Sequence, residues 1–168
     1  QPANFLGSVA YTTDDERSSL TASLITGDVK TEGLSQHNRT MYSLVLEHDI
    51  TDRLHYVLQH DLGVETKTTL GRAAQWYGVN QYLFYDILPN LSSGLRVEWF
   101  RDDDGVRVLG NGRGENFIGV TGGLNYTPIA GFTLRPEVRY DRITKNTAFR
   151  DGKDDDQILL SISGIFKF

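Results

Sequence analysis

The chain has 168 residues and a net charge of −5, long enough for a domain with a core and too acidic to expect a nucleic-acid partner, which calls for a basic field. It holds no cysteine, which excludes disulfides and thiolate metal sites, and no run near the ~20 apolar residues that a membrane helix requires. Eight Tyr, eight Phe and two Trp beside a lean 39% hydrophobic content leave one membrane architecture open, the β-barrel, whose strands are half polar and hide from hydropathy.

Taken in order, the chain alternates strand patterns with polar connections. Phe5–Tyr11 alternates weakly, with Phe5, Val9 and Tyr11 on one face. Thr12–Ser19 reads as a turn, and in Leu20–Thr26 the residues Leu20, Ala22 and Leu24 share a face. Gly27–Asn38 is a polar loop. Thr40–His48 sets Tyr42, Leu44 and Leu46 against Met41, Ser43, Val45 and Glu47. A short turn, Asp49–Arg53, leads into Leu54–Leu62, and a long polar segment, Gly63–Ala74, into Gln75–Tyr85. Asp86–Ser92, with its Pro89-Asn90, is a tight turn into Ser93–Asp102. The long loop Asp103–Glu115 precedes Phe117–Thr127, and Pro128–Phe132 turns the chain into Leu134–Asp141. Ile143–Asp155 is the last long loop, before Gln157–Phe168.

The frame Leu-Arg-x-Glu-x-x-x-Asp occurs twice, as Leu95–Asp102 and Leu134–Asp141, with a looser copy in Leu54–Asp61. Side chains alternate faces along a strand, so each full copy has an apolar and a charged face. From Asp49 onward short and long connections alternate. Soluble sandwiches have no reason to segregate loop lengths by end, whereas outer-membrane barrels do. With the last strand running inward, Tyr42, Tyr77, Trp99 and Tyr140 fall at the outer end of the apolar face. Tyr11, Tyr56, Tyr85, Tyr126, Phe166 and Phe168 fall at the inner end. These are two interfacial belts, and the apolar face between them is read as free of Asp, Glu, Lys and Arg from Thr40 onward. Gln81 and His60 break the apolar pattern, and Pro136, which lacks a ladder donor, calls for a bulge. The expected fold is all-β, an antiparallel transmembrane up-and-down β-barrel over residues 1–168 with about nine strands. A soluble antiparallel sheet is the rival reading.

Several stretches add a resemblance. Ser161–Phe168 resembles the C-terminal signal of bacterial outer-membrane proteins, with alternate aromatics ending in Phe168; Gly164 stands one place later than that pattern prefers. Trp76–Tyr85, Gly94–Gly105 and Leu134–Asp141 together resemble the OmpL-like β-barrel porins over about Thr40–Phe168. The resemblance implies an outer-membrane pore of unspecified substrate, with lipids and barrel-assembly machinery as partners, the latter through the strand ending at Phe168. Single-chain bacterial barrels carry an even strand number. Nine strands, with Gln1 outside, therefore lead to the expectation that this is the C-terminal part of a larger barrel.

If the apolar face meets lipid, the charged face lines the bore. The candidate pore-lining residues are Glu47, His55, Gln59, Asp61, Arg96, Glu98, Asp102, Arg135, Glu137, Arg139 and Asp141. Their mixed signs oppose strong charge selectivity, and the same charges read equally as a self-neutralising network bracing the wall. The acidic runs Asp102–Asp104 and Asp154–Asp156 lack the spacing of a calcium loop and are read as solvated. Gly110–Gly114 follows no strand-to-helix turn and is an exposed loop rather than a phosphate cradle. The four scattered histidines form no catalytic motif, and His48 and His60 are read as rim residues. No enzyme activity, cofactor or metal is expected. The expected function is passive diffusion of small hydrophilic solutes or ions across the bacterial outer membrane. The alternative is a structural barrel that sheathes or anchors a partner protein.

Overall fold

The computed structural model describes residues 4–30, 33 and 35–168, so part of the polar loop expected over Gly27–Asn38, and the outside position expected for Gln1, lie beyond the described residues. Nine strands make one antiparallel sheet in sequence order: β1 (Phe5–Thr12), β2 (Ser18–Val29), β3 (His37–Thr51), β4 (Leu54–Glu65), β5 (Ala74–Leu88), β6 (Leu91–Asp102), β7 (Glu115–Ile129), β8 (Phe132–Ile143) and β9 (Asp156–Phe166). Among the described residues there is no helix, and β1 and β9 are open edges: the sheet does not close on itself.

Three hairpins turn on two residues each, Asp52-Arg53, Pro89-Asn90 and Ala130-Gly131. Their sequences explain them. The Thr51 hydroxyl accepts the N–H groups of Arg53 and Leu54, a side chain mimicking a backbone turn. Gly131 has φ +82°, and a Cβ there would sit 2.9 Å from the Lys167 carbonyl oxygen. At the opposite end the connections span 66–73, 103–114 and 144–155. Strands run further than alternation alone suggests, because both end-zones of each hairpin keep pairing after the hydrophobic pattern fades. β5, for example, continues past Tyr85 to Leu88.

Register sorts the side chains onto two faces, since directly paired residues share a side. Leu46, Leu58 and Gln81 lie abreast across β3–β5, as do Val97, Val120 and Tyr140 across β6–β8. The other face carries Asn80, Glu98, Gly119 and Asp141 abreast across β5–β8.

Burial distinguishes this sheet from a soluble one. Among the described residues only Ala74, Trp76 and Ile143 are buried apolar side chains, whereas Leu160 is 82% exposed, Ile162 68% and Ile158 69%. Leu44, Leu95, Val97, Trp99, Val120 and Val138 are exposed on the same apolar face. An uncovered apolar face spanning nine strands far exceeds what a soluble monomer shows. On β5 the belt residues Tyr77 and Tyr85 bound a stretch that falls within the ~9–11 residues a tilted transmembrane strand requires.

Two expectations are corrected. The apolar face is not free of charge: Arg101 pairs abreast of Tyr77 and Arg142 abreast of Ile118. Both lie at the outer strand ends, and Arg101 turns its Nε to Asp103 at 2.6 Å. No bulge falls at Pro136. The β7–β8 ladder instead skips Leu124 and Asn125, opposite Pro136 and Arg135, and shifts register between Tyr126 and Ile129. Skipping removes the need for the N–H that proline lacks. Gln81 and His60 prove partnered on the apolar face. The Tyr56 hydroxyl donates to Gln81 Oε1 at 2.8 Å, and His60 stacks on Tyr42 with ring centroids 5.6 Å apart.

Candidate functional site

The charged face of β6–β8 is a ladder built around missing side chains. Arg96 Nη2 lies 3.0 Å from Glu98 Oε2, which lies 3.6 Å from Arg139 Nη2, and Arg139 Nε donates to Asp141 at 2.7 Å. Gln157 donates to the other Asp141 oxygen at 3.0 Å. Glu98 is on β6 and Arg139 on β8, so their pair crosses β7. Gly119 makes that possible: a Cβ there would stand 3.0 Å from Glu98 Oε2 and 3.4 Å from Asp141 Oδ1. The Arg96–Glu98 contact is an ion pair by distance alone, because Arg96 Nε and Glu98 Oε2 are buried without a directed hydrogen bond.

All eleven residues singled out from the sequence fall on this polar face by register. Their surroundings differ. Glu47 accepts from Ser19, and Gln59 donates to Asp61. His55 Nδ1 meets Asp49 Oδ1 at 2.6 Å and its Nε2 lies 3.5 Å from Asp86 Oδ2, tying three strands near the short turns. Arg135 and Glu137 form no ion pair among the described residues and border a half-open hollow. Asp102 departs most from expectation. It is 1% exposed, and its carboxylate accepts the N–H groups of Val106, Arg107 and Val108 at 2.8–3.1 Å.

Asp102 thereby fastens the 103–114 loop over the outer end of the polar face, and the acidic run is a set of staples rather than a solvated patch. Asp103 takes Arg101 and the Gln75 side chain, while Asp104 takes Arg72 and the Gln75 N–H. Gly105 (φ +63°) lets the loop double back, since a Cβ there would collide with the Arg113 backbone. From this loop Arg107 lies 4.0 Å over the Trp76 ring and reaches Glu65 Oε2 at 3.3 Å.

Glu65, on β4, also takes Arg39 at 2.7 Å and His37 Nε2 at 2.8 Å. These groups lie outward of Tyr42, beyond the apolar band. Burial pushes the Glu65 carboxyl up, but hydrogen bonds from Arg39 and His37 outweigh it and hold it below the usual glutamate value. His37 Nδ1 faces the Ser35 carbonyl at 2.9 Å, which only accepts, and Nε2 faces a carboxylate. Both ring nitrogens therefore donate, and those two bonds raise the imidazole above its ordinary value. Glu115 pins the other long loop. Its oxygens accept from the backbone of Asn116, Thr144 and Lys145 and the side chains of Thr144 and Asn146. Burial would raise its carboxyl; the Asn146 and Thr144 side chains, with the backbone donors, bring it to about 2 instead.

Sequence reading missed this outer cluster, His37, Arg39, Glu65, Trp76, Arg107 and Glu115. Arg39, Glu65 and Glu115 do share the parity of the charged face, but Glu65 and Glu115 lay in segments taken for loops and Arg39 between a loop and the strand expected from Thr40. Arg107 carries no periodic signal at all.

The family described as putative beta-barrel porin-2, OmpL-like, matches residues 1–168, the whole chain. The chain belongs to this family. No curated protein and no solved structure gives a match. For a β-barrel porin the two faces acquire their meaning: the uncovered apolar face meets membrane lipid, and the sheet is barrel wall. The OmpL-like porin family thus carries, in this member, a three-strand charge ladder in its wall and an outer loop fastened by Asp102 and Arg107.

Proposed function

We propose that this protein forms a passive, water-filled pore in the bacterial outer membrane for small hydrophilic solutes and ions, with the polar face of β3–β9 as part of its wall. The observation that carries this reading is the face segregation. Exposed Leu, Val and Ile stand on one side and, on the other, seven carboxylates and arginines of the candidate set and its outer cluster are joined by ion pairs within and between strands. In this reading Glu47, His55, Gln59, Asp61, Arg96, Glu98, Arg135, Glu137, Arg139 and Asp141 border the water, and Asp102 holds the loop that narrows the outer mouth. A pore also needs closed edges, because unpaired backbone is not tolerated in lipid. The edges of β1 and β9 therefore pair with further strands in the membrane, and the aromatic end at Phe166 and Phe168 suits recognition by barrel-assembly machinery.

The experiment is conductance of the purified protein in planar bilayers, with swelling of liposomes in small sugars and amino acids as a second readout. Stepwise, ohmic channels and swelling support the pore. Stable insertion with neither supports the sheath instead.

A further inference from the structure

The hollow beside Arg135 and Glu137 has a chemistry of its own. It is a half-open cavity of about 390 Å³ on the polar face, towards the short-turn end. It exists because Gly94 and Gly123 face each other across β6 and β7, a cross-strand pair without side chains. A Cβ on Gly94 would press the Phe84 ring at 3.2 Å, and one on Gly123 the Pro136 carbonyl at 3.2 Å. The absent side chains leave room for a wall of two rings. Tyr82 and Phe84 are stacked with centroids 6.1 Å apart and planes within 17°, and Phe84 remains 37% exposed. Hydrogen-bonding groups share the rest of the lining with Leu95, Leu124 and Pro136: Arg135 and Glu137, without ion-pair partners among the described residues, then Asn125, Thr121, Ser161 and Ser163.

An aromatic wall beside planar donors and acceptors selects a solute with an apolar C–H face and a hydroxylated edge. Glu98 neutralises Arg96, so a cation would meet Arg135 and an anion would meet Glu137, and neither sign is favoured. We propose that this hollow is a weak binding station for a neutral saccharide, one ring lying against Tyr82 and Phe84 while its hydroxyls bond Arg135, Glu137 and Asn125. The inference rests on the pore reading and names a solute class for it.

The test is block of ion current by maltotriose in planar bilayers, each channel compared with its own sugar-free current. The expected result is saturable block. Phe84→Leu and Tyr82→Leu keep bulk but lose the π face, and each is expected to raise the half-blocking concentration about three- to tenfold. Val138→Ala, on the apolar face, is expected to leave block unchanged. A channel that conducts but shows no saturable block, or equal block in wild type and both leucine variants, overturns the station and leaves the pore standing. A protein that never conducts removes the pore reading, and this inference with it.

Discussion

Gly119 illustrates how one absent side chain organises the wall. It lets a carboxylate on β6 and a guanidinium on β8 meet over β7, at 3.6 Å. The ladder also ranks its arginines. Arg96 and Arg139 are tied to Glu98 and Asp141, whereas Arg135 pairs with none of the described carboxylates. A neutralised charge contributes little to the field a passing ion meets. Arg135→Ala is therefore expected to shift the reversal potential in a salt gradient towards cations by more than removal of the neutral pair, Arg96→Ala with Glu98→Ala, does, with both variants inserting normally. Equal shifts would mean that the ion pairs do not screen. Glu115 sets a pH limit on the outer loops. Its folded value of about 2 lies below the ordinary 4.5, so its stabilisation is complete above about 4.5 and drains away as pH falls towards 2. Glu115→Gln is expected to make the 144–155 loop susceptible to limited proteolysis at pH 7, and the wild type to resemble it only in strong acid.

At the scale of elements, the strands were legible and the loops were not. The period-two pattern of β3, β6 and β8 is driven by burial against lipid on one side, so residue order alone carries it. The 103–114 loop folds by contacts distant in sequence, Arg107 to Glu65 and to Trp76, which no local pattern encodes. The same cause hid the role of Asp102, whose parity fits a wall residue while its oxygens are consumed by the loop backbone. The fastening has a consequence for transport. Hydrogen bonds to a charged group contribute about 1.5–3 kcal/mol each, so Arg107→Ala, and more strongly Asp102→Asn, is expected to free the loop. Single-channel conductance should rise and show more open-state noise. Unchanged conductance would place the loop outside the ion path. His37 adds a weaker alkaline effect: its imidazolium supports Glu65 below about 6.5, and that support fades as pH climbs through its raised value.

At the scale of the whole molecule, all-β architecture, strand order and the segregation of loop lengths followed from alternation and turn chemistry, and the match over residues 1–168 agrees with them. How the open edges of β1 and β9 pair did not follow, since the partner of an edge strand is not written in that strand's own alternation. The lipid-facing assignment has its own energetic signature. A charge at the middle of the lipid face costs about 2–4 kcal/mol in a transmembrane barrel, so Val120→Arg is expected to lower unfolding stability in lipid by that amount. Ser161→Arg, exposed on the polar face opposite Glu137, should cost far less.

The most direct measurement uses the absence of native cysteine. Single cysteines at Arg135, Glu137 and Ser161 on one face, and at Val120, Val138 and Leu160 on the other, are exposed to a charged, membrane-impermeant thiol reagent during bilayer recording. The expected result is rapid modification and a stepwise loss of current at the first three positions, with no change at the other three. Modification of the second set, or equal reactivity on both faces, would contradict a water-filled bore bounded by the polar face.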